Sequence, residues 1–186
     1  MSTRGLYGLR YRNEDKTTYS PSDSYPDYLG AIFVEWLSKK SVEELKEIFD
    51  NTEMVTEGEL TELDKRWCLN HGITPQENWS STLSDCFGDP SAFGISPVLL
   101  DSSEYILDSL FCEYAYIANL DTNQLEFWVG FQTSPDPDNR YGTKKSASGY
   151  YPCKLIKTWP LNDDIWKNPA DITTEMEAIR ESEEDD

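Results

Sequence analysis

The sequence lacks lysine and arginine between Arg66 and Arg140. That gap spans 73 of the 186 residues and contains 11 carboxylates, whereas globular chains usually mix both signs among about 25% charged residues. A surface built from this stretch has no local counter-charge, so its field extends over about a Debye length, ~8 Å in cell-like salt. Such a field repels nucleic acid and anionic membranes and attracts cationic surfaces. We therefore expect no direct contact with nucleic acid or membrane, and a cationic protein as partner.

Histidine is almost absent. His71 is the only one, so any imidazole-based mechanism would have to use it. It lies at the predicted end of a helix, where the helix dipole also favours a solvated histidine. Cys68, three residues earlier, could join it as a second zinc ligand, but a structural zinc site needs four ligands and no Cys-x-x-Cys pair is present. We predict no metal site.

Motifs for cofactor binding and nucleophilic catalysis are missing. Gly5 and Gly8 lack the rest of a dinucleotide-binding or phosphate-binding loop, and no Gly-x-Ser-x-Gly elbow occurs. Asp136 and Asp138 lack the acidic-x-Lys triplet of a metal-dependent nuclease and fit a turn-rich loop. Ser2 could act as an N-terminal nucleophile after processing, although serine is common there for processing alone. We predict no catalytic residue and no cofactor.

Long apolar runs are missing as well. No segment approaches the ~20 residues that span a bilayer, and Met1–Arg4 leads into no apolar stretch of the kind found in secretory signals. The four cysteines are therefore expected to be reduced thiols in a cytoplasmic protein.

The net charge of −19 is distributed unevenly along the chain. Residues 67–139 and 163–186 are strongly acidic, whereas residues 140–162 contain no acid. The cations of this basic strip are Arg140, Lys144, Lys145, Lys154 and Lys157. We expect the acidic C-terminal segment to neutralise the strip.

Hydrophobic periodicity predicts four helices after an N-terminal hairpin. The first has one apolar stripe formed by Leu29, Ile32, Phe33, Trp36 and Leu37. Ser41 opens the second, which places Leu45 inward, and the third places Leu60, Leu63 and Trp67 inward. Thr74–Glu77 is typical of a fourth helix start, because it combines a cap with proline at the first helical position.

The C-terminal half has strand character. Residues 111–120 and 125–132 are rich in aromatic residues and flank the turn Asp121–Gln124, which predicts a hairpin, and residues 150–159 form a last strand. The order of elements indicates a single α+β domain over residues 1–162, with an antiparallel sheet and helices on one face. Residues 163–186 are predicted to be an acidic tail that is partly disordered.

Three segments, Thr3–Gly8, Asp23–Gly30 and Ala118–Asp121, resemble a group of small uncharacterised proteins of phages and prophages. The resemblance covers residues 1–40 and, more loosely, the later hairpin. It includes no catalytic motif and so assigns no functional residue. It implies a context: small acidic phage proteins often inhibit host defence nucleases or other DNA-acting proteins, some by imitating nucleic acid.

These observations favour a non-enzymatic binding protein, a phage-encoded inhibitor that occupies the cationic nucleic-acid-binding surface of a host protein. B-DNA presents one charge per ~1.7 Å of axis, which the acidic stretch could imitate if most of its carboxylates share a surface. The predicted binding residues are Asp85, Asp89, Asp101, Glu104, Asp108, Glu113, Asp121 and Glu126. Asp101, Glu104 and Asp108 have helical spacing, so a helix there would project them together.

Two alternatives remain open at this point. A small-ligand-binding or hydrolytic domain would use an aromatic-lined pocket, for which the candidates are Trp79, Tyr114, Tyr116 and Trp128. A soluble acidic domain would use its charge for solubility alone.

Overall fold

Seven strands and five helices make up the part of the chain that the computed structural model describes, residues 2–161, 166 and 168–184. The strands are β1 (Gly5–Tyr11), β2 (Glu14–Ser20), β3 (Glu53–Val55), β4 (Val98–Leu100), β5 (Tyr114–Asn119), β6 (Gln124–Val129) and β7 (Lys154–Pro160). The helices are α1 (Ala31–Ser38), α2 (Val42–Asn51), α3 (Glu62–Asn70), α4 (Trp79–Thr82) and α5 (Pro169–Glu184). The predicted single α+β domain is confirmed.

The main sheet has five strands in the order β2-β1-β5-β6-β7. Its neighbours are antiparallel except β1 and β5, which run parallel with Gly5 opposite Tyr114. The predicted antiparallel pairing is confirmed for three of the four pairs of neighbouring strands, and the central pair of β1 and β5 is the exception. The helical segment between the two hairpins returns the chain to the end of the sheet where β1 began, and so makes this central pair parallel.

Tight turns close the two hairpins. Arg12 and Asn13 both have positive φ, 52° and 60°, as expected for the two central residues of a type I′ turn. The turn that joins β5 to β6 ends with Asn123, also at positive φ. The predicted hairpin of residues 111–132 is confirmed, with its paired part limited to β5 and β6.

Both faces of the main sheet are covered. Helices α1, α2 and α5 pack against one face, where Tyr7, Phe33 and Phe127 belong to the largest apolar cluster. The opposite face buries a smaller cluster that includes Trp128 and Ile106. Because side chains on both faces are buried, nearly all of β5 and β6 is inaccessible to solvent. Helices α3 and α4 pack elsewhere, around the two-stranded sheet of β3 and β4.

Local capping sets the helix starts. Ser41 and Glu44 form a reciprocal capping box at α2, and Thr61 and Asp64 form another at α3. The predicted start at Thr74 is wrong, because Asn78 caps α4 instead. Asn78 is extended, and the residues on either side of it bond to the backbone of Gly58 and Leu60.

The apolar stripe of the first helix is largely confirmed, since Leu29, Phe33, Trp36 and Leu37 are all buried. Ile32 is exposed and Val34 is buried in its place. Leu29 belongs to a π turn, Pro26–Gly30, whose extra residue per turn shifts the phase of the residues that follow.

The third helix buries a different face from the one predicted. Leu63 is exposed, whereas Cys68 is buried against Leu60 and Trp79. Leu60 is buried as predicted, although it precedes the helix, and Trp67 is only partly buried.

The acidic C-terminal segment contains α5 rather than a disordered tail. Ile172 and Met176, one turn apart, are buried in the largest cluster, and Ile179 packs against it. The prediction of disorder is therefore wrong for Pro169–Glu184. Residues 163–165, 167 and 185–186 of the predicted tail lie outside the described residues.

Candidate functional site

An acidic cavity of about 580 Å³ lies where β4 ends and a 3₁₀ turn begins. Its lining residues are Thr56, Asp101, Ser102, Ser103, Glu104, Tyr105 and Asp108. Three of the eight predicted binding carboxylates therefore border the same cavity.

Hydrogen bonds to two neighbouring strands fix the chain segment that leads into this cavity. The Asp101 N–H donates to the Val55 carbonyl at 2.8 Å, which continues the pairing of β3 with β4. The Ser102 N–H then donates to the Thr17 carbonyl of β2 at 3.0 Å. The segment is thus tied to both sheets before the turn starts.

The turn itself, Ser103–Leu107, is a 3₁₀ turn and not the α-helix that would project the three carboxylates together. The Asp101 carboxylate accepts the Ser103 N–H at 2.9 Å and so caps its first residue. Ile106 is fully buried in the cluster on the second face of the main sheet. Burial of Ile106 leaves Asp101 and Glu104 exposed to solvent.

Tyr105 forms one wall of the cavity. Its ring meets Tyr19 of β2 edge-on, with 5.0 Å between the centroids, and its hydroxyl donates to the Phe111 carbonyl at 2.7 Å. Burial raises the pKa of Tyr105 well above its usual range, so the phenol remains protonated and acts as a donor.

Asp108 also lines the cavity and is half-buried. Its carboxylate accepts the Leu110 N–H at 3.3 Å and the hydroxyl of Ser148. These bonds hold the carboxylate in one orientation without cancelling its charge.

None of these three carboxylates forms an ion pair with a lysine or arginine among the described residues. The cavity therefore combines uncompensated negative charge with the hydroxyls of Ser102 and Ser103. Such a set of acceptors suits an ammonium or guanidinium group. The seven lining residues include no histidine, cysteine or lysine that could serve as a base or nucleophile.

Glu126 does not belong to the binding surface. It is buried on the second face of the main sheet, where it accepts from Asn119 Nδ2 at 2.8 Å and from Trp128 Nε1 at 3.0 Å. Arg140 neutralises it through two short bonds. The prediction that Glu126 lies on a binding face is wrong, because the first cation after the acidic stretch folds back onto it.

Glu113 and Asp121 lie at opposite ends of β5, and each bonds to the backbone of the N-terminal segment. Glu113 accepts the Arg4 N–H at 3.2 Å, and Asp121 accepts the N–H groups of Arg12 and Asn13 at 2.8 and 2.9 Å. At ~3.3 Å per strand residue, the two carboxylates are separated by more than ~20 Å. The eight predicted residues therefore do not form one compact site.

Asp85 and Asp89 are exposed and lie away from the acidic cavity. Asp89 caps a second 3₁₀ turn, Pro90–Ala92, by accepting the Ser91 N–H at 2.9 Å. Asp85 borders a different, polar cavity near Gly72.

The alternative of an aromatic-lined pocket finds no support in its four candidates. Trp79, Tyr114, Tyr116 and Trp128 are all buried, and they belong to three separate apolar clusters. They are core residues, so the prediction that they line one pocket is wrong.

His71 and Cys68 are kept apart by their surroundings. His71 is exposed, stacks on Trp67 with 3.9 Å between the ring centroids, and holds the Trp67 carbonyl through Nδ1 at 2.8 Å. Cys68 is fully buried, and burial raises the pKa of its thiol. In the described part of the chain, no three His, Cys, Asp or Glu side chains converge as a metal site.

Comparison with protein families, curated proteins and solved structures found no match. Across residues 2–161, 166 and 168–184, no helix has the length and apolar character needed to cross a bilayer.

The sequence pointed to Asp101, Glu104 and Asp108 through their spacing. It gave no signal for Thr56, which reaches the cavity from a distant segment beside β3. Tyr105 was missed as well, although its position between two of the carboxylates is visible in the sequence.

Proposed function

We propose that this protein is a non-enzymatic binding protein that engages a cationic surface of a partner protein through Asp101, Glu104 and Asp108. The observation that carries the proposal is that these carboxylates border one cavity without an ion pair among the described residues. A guanidinium or ammonium group of the partner would supply the missing counter-charge, with Ser102 and Ser103 as additional acceptors.

The charge balance of the remaining molecule supports this proposal. Many of its cations are already neutralised: Arg10 pairs with Asp15, and Lys157 pairs with Glu175 of α5. Within the basic strip, Lys157 therefore pairs with the acidic C-terminal segment, whereas Arg140 pairs with Glu126 of β6. A chain of net charge −19 therefore keeps a large surplus of carboxylates, which would accelerate encounter with a cationic partner.

The partner that fits best is a host protein that acts on nucleic acid, since phosphate-binding grooves are lined with arginine and lysine. Occupation of such a groove would inhibit the host protein, as expected for a phage-encoded inhibitor of host defence in the cytoplasm. Strict imitation of a DNA duplex is less favoured, because Glu126 is buried and Glu113 and Asp121 lie far apart. The mechanism needs neither a cofactor nor a metal.

Capture experiments with matched variants test this proposal. The amide triple variant, Asp101→Asn, Glu104→Gln and Asp108→Asn, removes three charges and keeps side-chain size. A control variant, Glu47→Gln, Asp85→Asn and Asp138→Asn, removes three exposed charges outside the cavity.

The parent and the control variant should capture the same nucleic-acid-acting protein from a bacterial lysate, and the amide triple variant should not. The parent should also displace nucleic acid from the captured protein. If no captured protein distinguishes the amide triple variant from the control variant, the proposal fails and the charge serves solubility alone.

A further inference from the structure

Phe131 exposes an aromatic ring on an unusual backbone. It follows β6 after one residue, it is 53% exposed, and its φ is 55°. The left-handed region is adopted mainly by Gly and Asn, and a bulky residue there is an outlier. Such conformations persist where the surroundings enforce them, and they cluster at functional surfaces.

The surrounding hydrogen bonds do enforce it. The N–H of Phe131 donates to the Ser109 carbonyl at 2.7 Å, and the next N–H, of Gln132, donates to Ser109 Oγ at 2.9 Å. The Gln132 side chain turns back and donates to the Gly130 carbonyl at 2.7 Å. A Cβ on Gly130 would lie 2.2 Å from the Cys112 carbonyl oxygen. The backbone is thus held on both sides of Phe131, which leaves the ring facing solvent.

Two further apolar side chains are exposed on the segment that receives Phe131. Leu107 and Phe111 flank Ser109, and their side chains are 37% and 40% exposed. The Arg4 guanidinium lies over the Phe111 ring, 4.9 Å from its centroid. We name Leu107, Phe111 and Phe131 the apolar platform.

The apolar platform adjoins the acidic cavity. Leu107 ends the 3₁₀ turn that contains Glu104, and Asp108 follows it directly. The Tyr105 hydroxyl of the cavity wall donates to the carbonyl of Phe111. The carboxylates and the exposed apolar side chains therefore lie on neighbouring residues of the segment 101–111, to which the Phe131 backbone is hydrogen-bonded.

We propose that the apolar platform anchors a cationic segment of a partner protein that carries an aromatic or large aliphatic side chain beside its basic residues. This inference rests on the proposed function and adds an apolar contact to its ionic contacts. Binding hot spots usually pair a buried apolar anchor with charges at the rim. Here the platform supplies the anchor site, and Asp101, Glu104 and Asp108 supply the rim.

Charge complementarity selects this occupant over others. A second copy of the chain has a net charge of −19, and it would bring like charges together across the rim. An anionic membrane would be repelled for the same reason. A basic segment with an apolar residue satisfies both parts of the surface.

The probes are two short arginine-rich peptides of equal charge that differ at one central position, tryptophan in one and serine in the other. The tryptophan peptide should bind the parent about tenfold more tightly, because it buries its ring on the platform. Two variants, Phe131→Gly and Phe131→Asn, remove the ring and suit the left-handed backbone. Both should lose the tenfold preference, with unchanged or higher melting temperature and undiminished binding of the serine peptide.

Two matched controls isolate the ring from other effects. Ile95→Ala removes another exposed apolar side chain, beside Gly94 and α2, and should keep the preference. Asn123→Gly changes another residue of positive φ and should keep it too.

The outcomes separate this inference from the proposed function. If the parent binds both peptides equally, and the amide triple variant binds neither, the acidic site stands and the apolar anchor is refuted. If the parent and the amide triple variant bind the peptides equally weakly, the proposed function fails and the anchor with it. Unfolding of both Phe131 variants would show that the ring belongs to the packing, which would overturn the inference. A parent dimer that Phe131→Asn dissociates would also overturn it, since a second copy would then be the occupant.

Discussion

Arg140 and Glu126 form a two-pronged ion pair across the second face of the main sheet, with Nη1–Oε1 2.6 Å and Nη2–Oε2 2.7 Å. The Glu126 side chain is only 4% exposed, whereas that of Arg140 is 24% exposed. Arg140 is the first cation after the 73-residue stretch without lysine or arginine. Arg140 thus neutralises the one carboxylate of that stretch that is buried, Glu126. The exposed carboxylates of the cavity keep their charge.

Replacing Arg140 with methionine should lower the free energy of unfolding by about 3–5 kcal/mol, because Glu126 would remain buried without a counter-ion. The double variant Arg140→Met, Glu126→Met should recover most of this loss, since it removes the stranded charge together with its partner. Unfolding of both variants in guanidinium chloride measures the change in the free energy of unfolding. Equal losses in the single and double variants would show that packing of Arg140 matters more than its charge.

Asp121 should make stability depend on pH. Hydrogen bonds from the N–H groups of Asn13 and Arg12 lower the pKa of Asp121. A lowered pKa in the folded state contributes stability above the unfolded pKa, ~3.9, and the contribution disappears as the pH falls through the folded value. Asp121→Asn should therefore cost about 1 kcal/mol at neutral pH.

The measurement is urea titration of the parent and Asp121→Asn from neutral to acidic pH. The difference between them should shrink below about pH 4. A difference that does not change with pH would contradict the ionic account of the turn.

The four cysteines should differ in their rates of alkylation. Cys112 is fully buried, and burial together with the neighbouring Cys153 thiol raises the pKa of Cys112 well above its usual value. Since the thiolate is the nucleophile, Cys112 should react with iodoacetamide only when the protein unfolds. Cys86, which is partly exposed, should react first even though burial also raises its pKa. Timed alkylation followed by peptide mass spectrometry measures the order, and early loss of Cys112 would contradict it.

Helix α5 should contribute to folding. Met176→Ala should lower the free energy of unfolding by about 2–5 kcal/mol, because Met176 is fully buried against the main sheet. Glu181→Ala on the exposed side of α5 should change it by no more than about 0.5 kcal/mol. If the two variants are equally mild, α5 is not docked as described.

Features set by neighbouring residues could be predicted from the sequence. The capping box of Ser41 with Glu44 and the turn after β5 depend on contacts within a few residues. The grouping of Asp101, Glu104 and Asp108 was also predicted, because their spacing of three and four residues would place them on one side of a helix. The turn is 3₁₀, and the two residues before it, Asp101 and Ser102, are bonded to neighbouring strands.

Features set by distant contacts could not be predicted. The parallel pairing of β1 with β5 joins residues more than 100 positions apart, and Arg140 reaches Glu126 only after the loop before β7 has folded back. The C-terminal segment could have been predicted as a helix, because Ile172, Met176 and Ile179 have helical spacing. Its high charge led to the prediction of disorder instead. Inference from charge alone therefore predicted a disordered tail where α5 lies, and an exposed binding role for the buried Glu126.

The most direct test of the central claim is the salt dependence of binding to the serine form of the arginine-rich peptide. The dissociation constant of the parent should rise steeply with salt, and that of the control variant Glu47→Gln, Asp85→Asn, Asp138→Asn should rise in parallel. The amide triple variant, with the same total charge as the control, should bind about tenfold more weakly at low salt and respond less to added salt. Indistinguishable curves for the amide triple and control variants would contradict a binding role for Asp101, Glu104 and Asp108.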